Sequence, residues 1–246
     1  MILRLDLYLT ANQLAKSRTE AARFIGEGLV SVSGRIQTKP AYPIDDETPV
    51  SEVVVDREAH PFVSRGGEKL AAAIGAFALD PTGCEALDVG ASSGGFTDCL
   101  LRHGAARVYA VDAGAGQLAP SLQSDPRVIS IEHYNARYMR GEDFETVPTF
   151  AVMDVSFISS TLILPALAAV LPSGAPYVGL IKPQFEVGRA GLGKGGIVKD
   201  AALRRRAVES VVSFAVSVGF RHIGTIDSPI LGGDGNHEFL AAFIKE

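Results

Sequence analysis

The chain has 246 residues, 47% of them hydrophobic and 21% charged, with a formal net charge of −5. This is a core-forming, globular composition, and a small acidic excess gives no whole-chain attraction for a polyanion, so any surface for nucleic acid must be local. No signal peptide precedes the first charges and no apolar run approaches the ~18 residues of a spanning helix. The two cysteines, Cys84 and Cys99, fall in predicted buried elements and have neither zinc spacing nor partners for a disulfide framework. A soluble protein of a reducing, cytoplasmic compartment is expected.

Residues 1–58 open with "RLDLYL", where Leu5, Leu9 and Leu14 fall near one face of a short amphipathic helix. "SRTEAARFIGEG" predicts a second helix, with Ser17 as N-cap, Glu20 three residues on as in a capping box, and Gly28 as C-cap. "LVSVSGRIQT" predicts a strand, a turn at Gly34 and a returning strand. The segment carries Arg4, Lys16, Arg18, Arg23, Arg35 and Lys39, and few acids before Asp45. Taken singly these are ordinary solvated cations. Together, with Arg18 at a helix start where backbone N–H groups favour phosphate, they point to RNA. "RLDLYL" and "SRTEAARFIGEGLVSVSGR" resemble the alpha-L motif, a small RNA-binding module first known from a ribosomal small-subunit protein. "DDETPVSEVVVDREAHPFVSR" then reads as a short strand and a linker. The expected division is an RNA-binding domain at 1–58, a linker at 59–65 and a larger domain at 66–246, with Arg65 added to the RNA-facing cations.

From Phe62 onward strands and helices alternate. "CEALDVGA", "RVYAVDAG", "RVISIE", "FAVMDVS" and "YVGLIKPQ" are short apolar runs, separated by helical patterns at 95–103, 159–171 and 200–218. That order predicts a mostly parallel sheet covered on both faces. "FRHIGTIDSPI" and "HEFLAAFIK" have only a loop between them and are expected to pair antiparallel. A parallel sheet finished by an antiparallel hairpin resembles the Rossmann-like α/β fold of S-adenosylmethionine-dependent methyltransferases.

"ALDVGASSGGFTDCLL" runs from a strand through a glycine-rich turn into a helix, at the sheet end where such folds bind ligands. It is not the dinucleotide G-x-G-x-x-G. The turn suits S-adenosylmethionine, which has no phosphate and needs close backbone approach. Asp88, Gly90, Ala91, Ser92, Gly94, Gly95 and Phe96 form the candidate turn, with Asp88 available to the cofactor's amine. Asp112 ends the next strand, where a carboxylate commonly meets ribose hydroxyls. Asn135 follows the third strand and is a candidate for the adenine edge, and Asp154 borders the same site.

Lys69 starts a helix, Asp154 and Lys182 end strands, and Glu238 starts the last strand. Each alone has an ordinary explanation as a solvated or capping group, Lys182 after "VGLI" least so. In order and context the four match the Lys-Asp-Lys-Glu tetrad of the FtsJ-like ribose 2′-O-methyltransferases. "PFVSRGGEKL", "MDVSFIS", "LIKPQFEVG" and "GNHEF" resemble the TlyA branch, which joins this domain to the alpha-L module. The resemblance implies 2′-O-methylation of cytidine in ribosomal RNA, with no metal and no membrane required. A ribose hydroxyl is a weak nucleophile, so the tetrad would either take its proton through a neutral lysine or steady the forming alkoxide with a charged one. "FEVGRAGLGKGGIVKD" reads either as a loop that closes on RNA or as a merely unordered one. The rival functions are a non-catalytic RNA-binding protein, a nicotinamide enzyme, and the haemolysin whose label the family often carries. A pore-former needs a spanning helix or amphipathic barrel strands, and neither pattern is found.

Overall fold

The computed structural model describes residues 1–26, 28–56, 62–188, 191–232 and 235–246. It falls into two compact units, Met1–Pro61 and Phe62–Glu246. Residues 59–61 of the expected linker lie outside the described residues. Its remainder packs in the larger unit, where the Val63 N–H donates to Asp98 Oδ2 at 2.9 Å and Ser64 is buried.

In the smaller unit β1 (Ile2–Arg4) pairs antiparallel with β4 (Pro43–Asp45), beside helices α1 (Leu5–Ala11) and α2 (Arg18–Gly26). The strands β2 (Val30–Val32), β3 (Arg35–Gln37) and β5 (Val53–Val55) make a second sheet in the order β3-β2-β5. Ser33 and Gly34 both take left-handed φ values, 48° and 76°, as a two-residue turn needs if it is to match strand twist. Ser17 Oγ accepts from the Glu20 N–H at 3.1 Å, while the Glu20 carboxylate reaches back to the Lys16 N–H. Gly28, at φ 71°, ends α2, and the Leu29 N–H folds back to Phe24 O. Leu5, Tyr8, Leu9, Phe24, Ile25 and Val30 form the core.

The larger unit is built on seven strands: β6 (Glu85–Val89), β7 (Arg107–Val111), β8 (Val128–Ile131), β9 (Phe150–Met153), β10 (Pro176–Ile181), β11 (Phe220–Asp227) and β12 (Phe239–Lys245). Their order is β11-β12-β10-β9-β6-β7-β8, parallel from β8 to β10, with β12 antiparallel to both β10 and β11. One face is covered by α3 (Gly66–Ala76), α4 (Gly95–Arg102) and the short α5 (Pro120–Gln123). The other is covered by α6 (Leu164–Val170) and, beyond the single turn α7 (Pro183–Glu186), by α8 (Ala201–Ser217). Two apolar clusters thus sandwich the sheet, as near-continuous Val, Ile and Ala strands require.

The helix expected at 159–171 is interrupted. A 3-10 turn at Ser160–Leu162 gives way to α6, whose Pro165 lies in the first turn. The proline has no N–H to donate back to Thr161, so the ladder restarts there. Cys99 is buried in α4, and burial pushes its thiol up to about 12. Cys84 departs from expectation: it lies just before β6 and is partly exposed, because pairing begins at Glu85.

Candidate active site

The strand order reverses its progression between β6 and β9, and a cleft of about 410 Å³ opens beyond their carboxyl ends. Gly90, Ser92, Asp112, Asn135, Asp154 and Ser156 are among its walls. Gly90 has φ 89°, and a Cβ there would stand 2.3 Å from Asp154 O. The turn after β6 therefore passes against the backbone after β9 with no room for a side chain. Gly90→Ala is expected to destabilise the chain by about 2–3 kcal/mol, from strain plus overlap. A thermal melt of the purified variant checks this, and an unchanged Tm would show that the close approach is dispensable.

Asp112 fastens the turn from the next strand. Its Oδ2 accepts from the Ser92 N–H at 2.8 Å and its Oδ1 from the Gly114 N–H at 2.7 Å. Asn135 Oδ1 caps a short turn by accepting from the Arg137 N–H at 3.2 Å. Both residues still face the cleft. Gly94, Gly95 and Phe96 do not line it. Gly94 (φ 93°) caps α4, and its hydrogens face Leu118 and Leu122. A Cβ on Gly95 would stand 2.3 Å from Ser64 Oγ and 2.9 Å from the Gly67 nitrogen, so this glycine lets α3 and α4 approach. Phe96 is buried in the cluster under both helices, and Ala91 is buried beside it.

Strand alternation collects the charged residues. Ala86 and Val152 belong to the cluster on the α3 and α4 face, as do Leu180 and Leu240. Asp88, Asp154, Lys182 and Glu238 each stand two positions from one of them and so share that face at one end of the sheet. Lys69, on α3, meets them from above. Its Nζ is 2.5 Å from Glu238 Oε2, with side chains 10% and 3% exposed. Lys182 Nζ is 2.5 Å from Asp154 Oδ1, and its hydrogen bond goes to Ser156 Oγ at 2.8 Å. The Asp154 contact is ionic, and among the described residues that oxygen accepts no hydrogen bond. The cluster is two ion pairs, each lysine held by one acid.

Among the described residues Asp88 has no cation. It is fully buried, Oδ2 accepts from Thr97 Oγ1 at 2.6 Å, and Oδ1 has no hydrogen-bond partner among those residues. Burial raises its pKa to about 7; the Thr97 hydrogen bond opposes this, and the charges of Asp154 and Asp112 add to it. An unsatisfied buried carboxylate beneath a glycine turn is a costly feature in a resting protein and a natural counterpart for a cationic ligand group.

Thr97, Ser156 and Phe157 were not singled out from the sequence. Phe157 is 93% exposed at the cleft wall, has φ 64°, and stands 5.3 Å from the Phe185 ring. An exposed aromatic in a left-handed backbone is a strained arrangement with no core to hold it. The signal was present in "MDVSFIS", where Phe follows a strand-end acid by three residues.

In the smaller unit Arg4 and Arg18 differ from simple solvated cations. Both reach buried Asp6, at 2.9 and 3.3 Å. The Arg4 hydrogen bonds, and then Arg18, hold the Asp6 carboxyl below its usual range. Arg4 and Arg18 keep 49% and 59% of their side chains exposed, so each is oriented by Asp6 and open on its outer side. Lys16, Arg35 and Lys39 are exposed, and Arg23 lies over the Phe24 ring at 4.9 Å. Arg65 precedes α3 in the larger unit and is partly exposed.

The FtsJ-like methyltransferase model matches residues 62–245 and the S4 domain model matches residues 3–50. The chain belongs to the FtsJ-like methyltransferase family. Among its relatives, the 16S/23S rRNA (cytidine-2′-O)-methyltransferase TlyA of Mycobacterium tuberculosis is 45% identical over 237 residues, covering 96% of this chain and 88% of that protein. Hemolysin A of Brachyspira hyodysenteriae is 43% identical over 243 residues, 98% of this chain and 100% of that one. A solved structure of a candidate hemolysin from Streptococcus thermophilus aligns with TM-score 0.78 at 45% identity, covering 99% of this chain and 88% of that one. Relatives of this chain therefore carry both kinds of name. No helix among the described residues is long and apolar enough to cross a membrane.

Proposed function

We propose that this chain is a ribosomal RNA 2′-O-methyltransferase, moving a methyl group from S-adenosylmethionine to the ribose 2′-hydroxyl of a cytidine, and that it works in the cytoplasm. The observation that carries the reading is the pair of lysine–carboxylate contacts at one end of the sheet, beside the cleft walled by the glycine turn. The near-full-length similarity to a cytidine-2′-O-methyltransferase supports it.

The cleft fits the cofactor. Its volume and mixed lining are those of a small-molecule site. The free Asp88 oxygen answers an ammonium, directly or through water. Asp112 is assigned to ribose hydroxyls and Asn135 to an adenine edge, both on the cleft wall. When bound, S-adenosylmethionine supplies an electrophilic methyl carbon on a sulfonium. The chain's own residues act on the acceptor. Lys182 touches two residues of the cleft wall, Asp154 and Ser156, and it is assigned the 2′-hydroxyl and the charge or proton of that oxygen. Asp154 and Ser156 fix its ammonium from two sides. Glu238 neutralises Lys69, so the second lysine borders the site as a buried pair rather than as a free charge. Much of the rate then comes from alignment of oxygen, methyl and sulfur. Phe157 offers an open ring on which the acceptor base can stack. The S4 unit, with Arg4, Lys16, Arg18, Arg23, Arg35 and Lys39, and with Arg65 beyond it, is assigned to RNA docking.

The test is methyl transfer from labelled S-adenosylmethionine to small and large ribosomal subunits and to their naked RNA, followed by mapping of ribose methylation. Label on a cytidine 2′-oxygen is expected. Label confined to a base, or absent from every RNA offered, would overturn the reading.

A further inference from the structure

We infer that the methyltransferase unit carries its own RNA-docking surface, a band of cations at Lys194, Lys199, Arg205 and Arg206 that tracks phosphates beside the acceptor end of the cleft. The inference rests on the RNA-methylating reading above and concerns where that RNA lies.

In a chain of net charge −5, residues 194–206 hold five cations and one acid. The acid, Asp200, is occupied: its Oδ1 caps α8 by accepting from the Ala202 N–H at 2.7 Å. Arg204 is also occupied, donating to the carbonyls of Val198 and Lys199 at 3.2 and 3.3 Å and folding the segment onto the start of α8. The other four side chains are exposed and make no ion pair among the described residues. Three successive arginines near a helix N-terminus gain nothing from the macrodipole, so helix stability does not account for them.

The band is anchored to the site. Asn236, 2% exposed, accepts from the Val198 N–H through Oδ1 at 3.0 Å and donates through Nδ2 to Gly196 O at 3.2 Å. Two residues on is Glu238, the partner of Lys69. One buried amide thus ties the base of the cation band to the loop that brings in a tetrad residue. Cations fixed at that place meet the backbone flanking an acceptor nucleotide, whatever its sequence.

Each phosphate neutralised adds about 0.7 to the log–log salt slope for single-stranded RNA and about 0.9 for a duplex. Arg205→Ala/Arg206→Ala is therefore expected to flatten the slope of rRNA-fragment binding by about 1.4–1.8. Lys194→Ala/Lys199→Ala should do the same, and Arg205→Lys/Arg206→Lys should keep the parental slope. Cofactor affinity should be unchanged in all three. If the parent methylates RNA and neither alanine pair alters the slope, the band is an ordinary solvated face and the inference fails. If the parent methylates no RNA, it is the functional reading that fails.

Discussion

Lys182→Ala is expected to lower single-turnover methyl transfer by about 10²–10³-fold, with cofactor affinity held within about twofold. The lysine is the one proposed for the acceptor, and it is tied to Asp154 and Ser156 rather than to the glycine turn. Its removal leaves a partly buried Asp154 carboxylate, 23% exposed, without its cation, so the melting temperature should fall as well. Lys182→Arg separates the two ways in which a lysine can serve. Arginine keeps its proton at any workable pH. An arginine variant as slow as alanine assigns proton removal to Lys182, and substantial recovery assigns charge stabilisation. Rates near the parent's for both variants would remove Lys182 from the chemistry.

Asp88→Asn should weaken the cofactor by about 10–100-fold and yet make the ligand-free protein harder to unfold. The amide still accepts from Thr97, but it carries no charge into a fully buried position near Asp154 and Asp112. With a native pKa of about 7 against the ordinary carboxylate value of 3.8, the folded state holds the proton more tightly than the unfolded one. The parent's stability therefore declines as pH rises from about 4 to about 7 and is flat beyond. The asparagine variant lacks that decline, so its advantage should be absent at pH 4 and full at pH 8. Cofactor affinity of the parent should rise with pH through about 7, because the bound ammonium needs the carboxylate form. Denaturant melts and calorimetric titrations across pH report both quantities. Equal stability of the two proteins at pH 8 would mean that Asp88 is not strained in the empty site.

The sheet was legible because its strands are apolar runs bounded by turn residues, and the terminal hairpin because no helix separates its two strands. Strand ends also marked Asp154, Lys182 and Glu238 as polar residues in apolar company. Which lysine meets which acid was not legible. Lys69 and Glu238 lie 169 residues apart and meet through a strand order that leaves no local pattern. Asp6 was hidden differently. In "RLDLYL" it looks like a solvated helix-start acid, and its burial between two arginines is set by how α1 and α2 pack. The glycines divide for a similar reason. Gly90 and Gly94 share one motif and one sign of φ, but one faces the cleft and the other faces Leu122.

The position of β12 couples assembly of the sheet to assembly of the lysine–carboxylate cluster. It follows β11 in the chain yet lies between β11 and β10, so the edge of β10 stays unpaired until the whole of α8 and β11 has been made and the returning strand slots in. Until then Lys69 has no counter-charge, because Glu238 arrives on the leading end of that strand. A chain caught before this last insertion would expose a sticky apolar edge and hold half a tetrad. Hydrogen exchange at Leu240–Phe243 and loss of turnover on mild heating should then follow one curve, since the same event opens the sheet and parts Lys69 from Glu238, a pairing proposed for the chemistry.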